Sequence, residues 1–174
     1  MGQQIDYSKL KEGDVIFTGG TSLIARIIRR VTSKNEQAKT ATHCGVVIEI
    51  GSQKLIAEMV GDGVSMGSIE KYLTGNKSIV QISRPEFRGD LKNDYINFIG
   101  EAFRKSIGYD FSEVFKFLPF VQGQTSPEKF YCSELVCRAL RKARCMVIFD
   151  EEGLISPEYL RAQLENLKID WDKK

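Results

Sequence analysis

Residues 43–60, "HCGVVIEIGSQKLIAEMV", hold two runs rich in branched and apolar residues on either side of "GSQ", a turn composition. Such a stretch reads as an antiparallel hairpin with strands at 43–50 and 54–60. Side chains alternate between the two faces of a strand, so the even-numbered Cys44, Val46, Ile48 and Ile50 form an apolar stripe aimed at a core. His43, the only histidine of the chain, falls on the opposite face with Gly45, Val47 and Glu49. On the second strand Leu55, Ala57 and Met59 alternate with Ile56, Glu58 and Val60, which leaves Glu58 as an ionisable group between apolar neighbours.

The hairpin register decides which acid meets the histidine. Paired positions around a two-residue loop sum to an odd number, so His43 and Glu58 project from the same face. With the turn at Gly51-Ser52 they are diagonal neighbours, about 5–8 Å apart by Cβ and within reach of hydrogen bonding. A turn at Ser52-Gln53 instead sets Asp62 directly opposite His43, and a slip by one residue separates His43 from Glu58 altogether. Glu58 is the preferred partner and Asp62 its rival. The plain alternative is a solvent-facing glutamate on an edge strand.

Around the hairpin, "DVIF" reads as a short strand, "SIVQIS" at 78–83 as another, and 22–31 as a helix with apolar Leu23, Ile24, Ile27, Ile28 and Val31 on one face. Tyr95, Phe98, Ile99, Ala102 and Phe103 recur at helical spacing, which predicts a helix capped by Asp90 and ending at Gly108. Residues 109–131 carry Pro119, Gly123 and Pro127 and read as an aromatic, irregular loop. A helix over about 132–143 follows, and Ser156-Pro157 opens a last one with a capping residue and proline at the first position. Strands and helices are segregated rather than alternated, so the class is α+β, an antiparallel sheet packed by helices.

A chain of 174 residues is the size of one domain and can bury a real core, and its composition, 42% hydrophobic and 28% charged, fits a folded soluble protein throughout. No internal repeat or linker divides it, so residues 1–174 are read as a single domain. The net charge of +2 comes from interspersed acids and bases, which argues against nucleic acid as a partner. The basic run "ARIIRR" reads as a solvated helix face. The N-terminal stretch lacks a secretory pattern and no apolar run approaches ~20 residues, so a cytoplasmic protein is expected. Its cysteines, Cys44, Cys132, Cys137 and Cys145, are then free thiols rather than disulfides.

Metal binding by His43 and Cys44 is disfavoured because strand neighbours point apart. Cys132 and Cys137 are five residues apart on a helix, and no CxxC spacing occurs, so neither a metal nor another cofactor is expected. Cys132 has two readings. It shares a helix face with Leu135, Val136, Ala139, Leu140 and Ala143, as an inert core cysteine would. It also stands at the first turn of that helix, where unpaired N–H groups and the helix dipole stabilise a thiolate. A cysteine, histidine and acid set has a plain logic: the imidazole takes the thiol proton, the acid orients the imidazole, and the sulfur attacks a carbonyl.

The series "EGDVIF", "THCGVVIE", "LIAEMVGDGV", "SIGYDF", "FYCSELVCRAL" and "ISPEYL", in this order over most of the chain, resembles the circularly permuted branch of the NlpC-like, papain-like superfamily. The likeness is to the YiiX-type amidases in particular, with the lecithin:retinol acyltransferase group as relatives. In that branch the histidine strand precedes the cysteine helix. The resemblance implies a permuted papain-like fold, Cys132 as nucleophile, His43 as base and Glu58 as the residue that orients it. It also sets Tyr109 beside the site, where its hydroxyl and the backbone N–H of Cys132 would support an oxyanion; otherwise Tyr109 is one more packed aromatic. Asp14 is given a turn role, and Cys44 only fills the core.

The resulting expectation is a cysteine hydrolase or acyl-transfer enzyme that forms a thioester on Cys132 from an amide or, less favoured, an ester. One alternative is a lipid acyltransferase or phospholipase in transient membrane contact through "FSEVFKFLPF". Another is a non-catalytic binding module on the same fold. The substrate within the peptide, amide or lipid classes, the acyl acceptor and the oligomeric state are left open.

Overall fold

The central hairpin forms as the alternation predicts, with β2 at His43–Ile50 and β3 at Gln53–Val60. The computed structural model describes residues 6–20, 41–70, 78–109, 129–145 and 155–171. Ile50 pairs with Gln53, so the turn is the two-residue Gly51-Ser52, and Gly51 takes the left-handed φ of 62° at its first position. Glycine in that place followed by a residue of ordinary φ is the requirement of a type II′ hairpin turn. This register selects between the two acids: Glu58 pairs with Gly45, and Asp62 is exposed in the turn after β3.

Two further strands flank the hairpin and a fifth closes the far side. β1 (Val15–Gly19), β4 (Gly63–Ser68) and β5 (Ser78–Ser83) complete an antiparallel sheet in the order β4-β3-β2-β1-β5. β4, "GVSMGS", was not expected as a strand: glycine and serine dominate it, and its apolar alternation is limited to Val64 and Met66. It forms because β3 would otherwise leave a row of unpaired N–H and C=O groups. Glu58 is consequently on an interior strand and buried, not a solvated edge residue.

Alternate residues of the strands feed different clusters. Val15, Phe17, Val46, Ala57 and Met59 pack under helices α1 (Leu91–Arg104) and α2 (Cys132–Lys142), while Ile16, Val47, Ile56 and Ile82 meet Leu10 and Trp171 on the other face. Both faces are therefore covered, which accounts for the near-continuous "GVVI" of β2. The apolar stripe stops short of Ile50, which is 56% exposed at the hairpin tip, and Phe103 at the end of α1 is 44% exposed.

Helix α1 starts where expected, although Asp90 makes no side-chain cap bond, and it stops at Arg104 rather than Gly108. Both α1 and α2 end in a Schellman motif with an unusual non-glycine residue in the left-handed conformation, Ser106 (φ 49°) and Arg144 (φ 48°). The N–H groups of Ile107 and Cys145 close these ends onto the carbonyls of Ala102 and Leu140. Helix α3 (Pro157–Gln163) starts with the foreseen cap, Ser156 Oγ accepting from the N–H of Tyr159 at 3.1 Å.

Asp14, fully buried before β1, accepts from the N–H of Lys11 at 2.8 Å and from both arms of Arg84 at 2.8 and 2.9 Å. The turn role assigned to it thus extends to tying β1 to the end of β5. The helix expected at 22–31 and the loop from 110 to 128, with "FSEVFKFLPF", lie outside the described residues. The ends of that loop pair with each other, as two-residue strands β6 (Gly108–Tyr109) and β7 (Lys129–Phe130) in parallel. No helix among the described residues is long and apolar enough to cross a membrane.

Gly45 faces Glu58 across the hairpin, and a Cβ there would come within 2.9 Å of Ile56 Cγ1 and 3.0 Å of the main-chain oxygen of Ala57. Gly45→Ala is expected to cost about 1–3 kcal/mol, because the carbonyl belongs to the neighbouring strand and cannot turn away. Chemical denaturation of the variant against the parent chain measures this, and unchanged stability would contradict the tight packing.

Candidate active site

His43 is the first residue of β2 and Cys132 the first residue of α2, so the two are brought together where the start of one strand meets the start of one helix. His43 Nε2 lies 2.6 Å from Glu58 Oε2, with the carboxylate 3% and the imidazole 17% exposed. The bond to Glu58 leaves the second ring nitrogen, Nδ1, for another partner, and His43 and Cys132 each shift the titration of the other. Adjacent strand residues diverge, yet Cys44, in the same buried cluster as Cys132, also bears on the titration of this sulfur. Both residues can bear on it because Cys132 opens α2 and His43 and Cys44 open β2.

Tyr131 holds the N-cap of α2 without a side-chain cap bond, so the N–H groups of the first turn remain as donors beside the sulfur. The two residues flanking Cys132 are both fastened to Ile155, Tyr131 Oη accepting from its N–H at 2.7 Å and Ser133 Oγ donating to its carbonyl at 2.5 Å. Three residues on, Glu158 Oε2 accepts from the N–H of Ala41 at 2.7 Å, and Arg161 holds that carboxylate at 2.9 to 3.1 Å. The segment that opens α3 thus clamps both the helix that carries Cys132 and the chain that leads into His43. Sequence reasoning did not see this clamp. Its only signal was "ISPEYL" in the recognised series.

The electrostatics follow from these contacts. Burial, the strongest influence on His43, pulls its pKa down, but the adjoining Cys132 sulfur and the Glu58 carboxylate together outweigh it and raise the imidazole to about 9. For Cys132 the strongest influence is the neighbouring Cys44 thiol. With the help of His43 it overcomes burial and holds the thiol well below its ordinary 9.0. Both shifts run toward the charged forms, thiolate and imidazolium. The other thiols go the opposite way: burial raises Cys44 well above 9.0, Cys137 to about 11, and Cys145 as well.

Tyr109 has its main chain in β6 beside Phe130, two residues before Cys132. Asp62 makes no part of the cluster. Thr18, the cross-strand partner of His43, stands at a bulge between β1 and β5, and its buried hydroxyl has no hydrogen-bond partner among the described residues. Among the described residues no group of three His, Cys, Asp or Glu side chains is placed to hold a metal ion.

A family model described as permuted papain-like amidase enzyme, YaeF/YiiX, C92 family, matches residues 9–163. The chain belongs to this family. Helix α2 with Cys132, strand β2 with His43 and strand β3 with Glu58 all fall inside the stretch that matches the permuted papain-like amidases. Among solved structures, the metalloprotein yiiX from Escherichia coli O157:H7 is similar with a TM-score of 0.60 at 18% identity, over 93% of this chain and 87% of that one. The shared architecture is the permuted papain-like fold, here an α+β arrangement with its sheet under helices α1 and α2. No curated protein matches the chain at the level of sequence.

Proposed function

We propose that this permuted papain-like amidase is a cysteine hydrolase acting on an amide through a thioester on Cys132. The observation that carries this reading is the 2.6 Å bond between the buried Glu58 carboxylate and His43, whose ring in turn bears on the Cys132 thiol. The thiolate attacks the carbonyl carbon, and the oxyanion is met by the backbone N–H of Cys132 with the Tyr109 hydroxyl as a second donor. Protonated His43 gives its proton to the leaving amine as the C–N bond breaks, and Cys132 is left acylated. Water then attacks the thioester with neutral His43 taking its proton, releasing a carboxylic acid and restoring the thiol. Glu58, nearly sealed from solvent, keeps the ring oriented through both steps.

The test is to incubate the intact chain with a panel of activated acyl donors, peptide-like and lipid-like, and follow its mass. A single acyl adduct on the tryptic peptide of Cys132, absent in Cys132→Ala, is expected. A folded chain that acquires no adduct, or acquires it elsewhere, would refute the assignment and favour a binding module. The acylation rate is expected to be bell-shaped in pH. Its falling limb lies at about 9, where His43 loses its proton, and its rising limb lies well below the ordinary thiol value of 9.0. A profile that only rises through 9.0 would show an unassisted thiol.

A further inference from the structure

We propose that Glu158 is a positioning residue: by accepting from the N–H of Ala41 it sets where strand β2 delivers His43 to Cys132. This role rests on the reading of His43 and Cys132 as base and nucleophile, and adds to it a residue that acts through the main chain. The N–H groups leading into β2 need acceptors, because Ala41 and Thr42 are both buried. That of Thr42 goes to the carbonyl of Thr18 at 2.9 Å, where β1 still runs alongside. Ala41 lies one residue further out, and its N–H reaches the Glu158 carboxylate at 2.7 Å, on a residue 117 positions away. The bond is charge-assisted, and it grips the chain two residues before His43.

The carboxylate is held in its turn. Arg161 donates to both of its oxygens, and the same guanidinium donates at 2.7 Å to Gln81 Oε1, on the buried part of β5. Glu158 is thereby referenced to the sheet. Three residues earlier, the main-chain N–H and C=O of Ile155 hold the two neighbours of Cys132, Tyr131 and Ser133. Between these two grips Ser156 caps α3 and Pro157 stands at its first position, so stiff backbone fixes the spacing from Ile155 to Glu158. One short stretch therefore gauges both halves of the site: Ile155 holds the helix start that carries the sulfur, and Glu158 holds the strand start that carries the imidazole.

Two readouts on the intact chain separate positioning from stability alone. His43 is the only histidine, so the proton resonance of its ring carbon between the two nitrogens can be titrated without ambiguity. Alkylation of Cys132 by iodoacetamide, with Cys137 and Cys145 as internal references, reports the thiolate. Glu158→Gln keeps an oxygen for Ala41, and Glu158→Ala removes it. In the alanine variant the imidazole midpoint is expected to fall below about 9, and Cys132 to alkylate about 10-fold more slowly near neutral pH. These shifts report geometry, because the groups that raise the imidazole are Cys132 and Glu58, both intact in the variant, and not Glu158. The glutamine variant is expected to match the parent in both. A folded alanine chain that melts lower yet keeps the parent midpoint and alkylation rate overturns the proposal, as does a glutamine chain that behaves like the alanine one. Should alanine leave the chain unfolded, Glu158→Met, which keeps the bulk without an oxygen, makes the same comparison. A parent chain with an ordinary imidazole and an ordinary Cys132 thiol would instead overturn the nucleophile reading itself, whatever the variants do.

Discussion

His43→Ala is expected to slow acylation of Cys132 by about 10³-fold while leaving the chain folded, because general acid–base assistance is worth about 10²–10⁴-fold and no other histidine exists to replace it. His43 is partly exposed and its ring is not part of either apolar cluster, so its removal opens no core cavity. The variant's rate should also lose its falling limb near 9, since the group that titrates there is gone. Adding free imidazole should restore part of the rate, through the vacated space beside the sulfur. Acylation at the parental rate in a folded His43→Ala chain would mean that the thiol acts without this base.

Glu58 separates orientation from charge. Glu58→Gln keeps an oxygen able to accept from Nε2–H, so the ring stays in place while the carboxylate's pull on the imidazolium is lost. A fall of about 10-fold is expected, with the falling limb moving below 9, the direction set by loss of a group that raises the His43 pKa. Glu58→Ala frees the ring and leaves Nε2 without a partner in a nearly closed space, and a fall of about 10²–10³-fold is expected. Acylation kinetics of the two variants, read beside their thermal melts, make the comparison. Equal losses in both would mean that charge rather than geometry is the contribution of Glu58.

Much of the site was readable because it rests on parity. Residues 43 and 58 share a face in any two-residue-loop hairpin, and Gly51 at the turn is what a II′ geometry asks for. The face of α2 was equally plain from helical spacing, and all of Leu135, Val136, Ala139, Leu140 and Ala143 are buried as that spacing implies. Parity within the hairpin could not say that β3 would be covered by β4, because the strand signature of "GVSMGS" is confined to Val64 and Met66 among glycines and serines. The burial of Glu58, on which its effect on His43 depends, was hidden for that reason. Nor could parity reveal that Cys44 would share a buried cluster with Cys132. Alternation states which way a side chain leaves its strand, not which later helix will begin above it. The fastening of Tyr131 and Ser133 to Ile155 likewise joins residues more than twenty positions apart, and only tertiary packing brings them together.

The Gly51-Ser52 turn lies about 23 Å along β2 from His43, at the opposite tip of the hairpin. Nothing crowds it: a Cβ on Gly51 would meet no atom within 4 Å. Even so, it counts for the chemistry, since adding or removing one residue there would turn the acid away from the imidazole on every rung between. This unassuming, solvent-washed corner is thus a place where length matters more than composition, and where relatives should differ in loop size by pairs of residues if they differ at all.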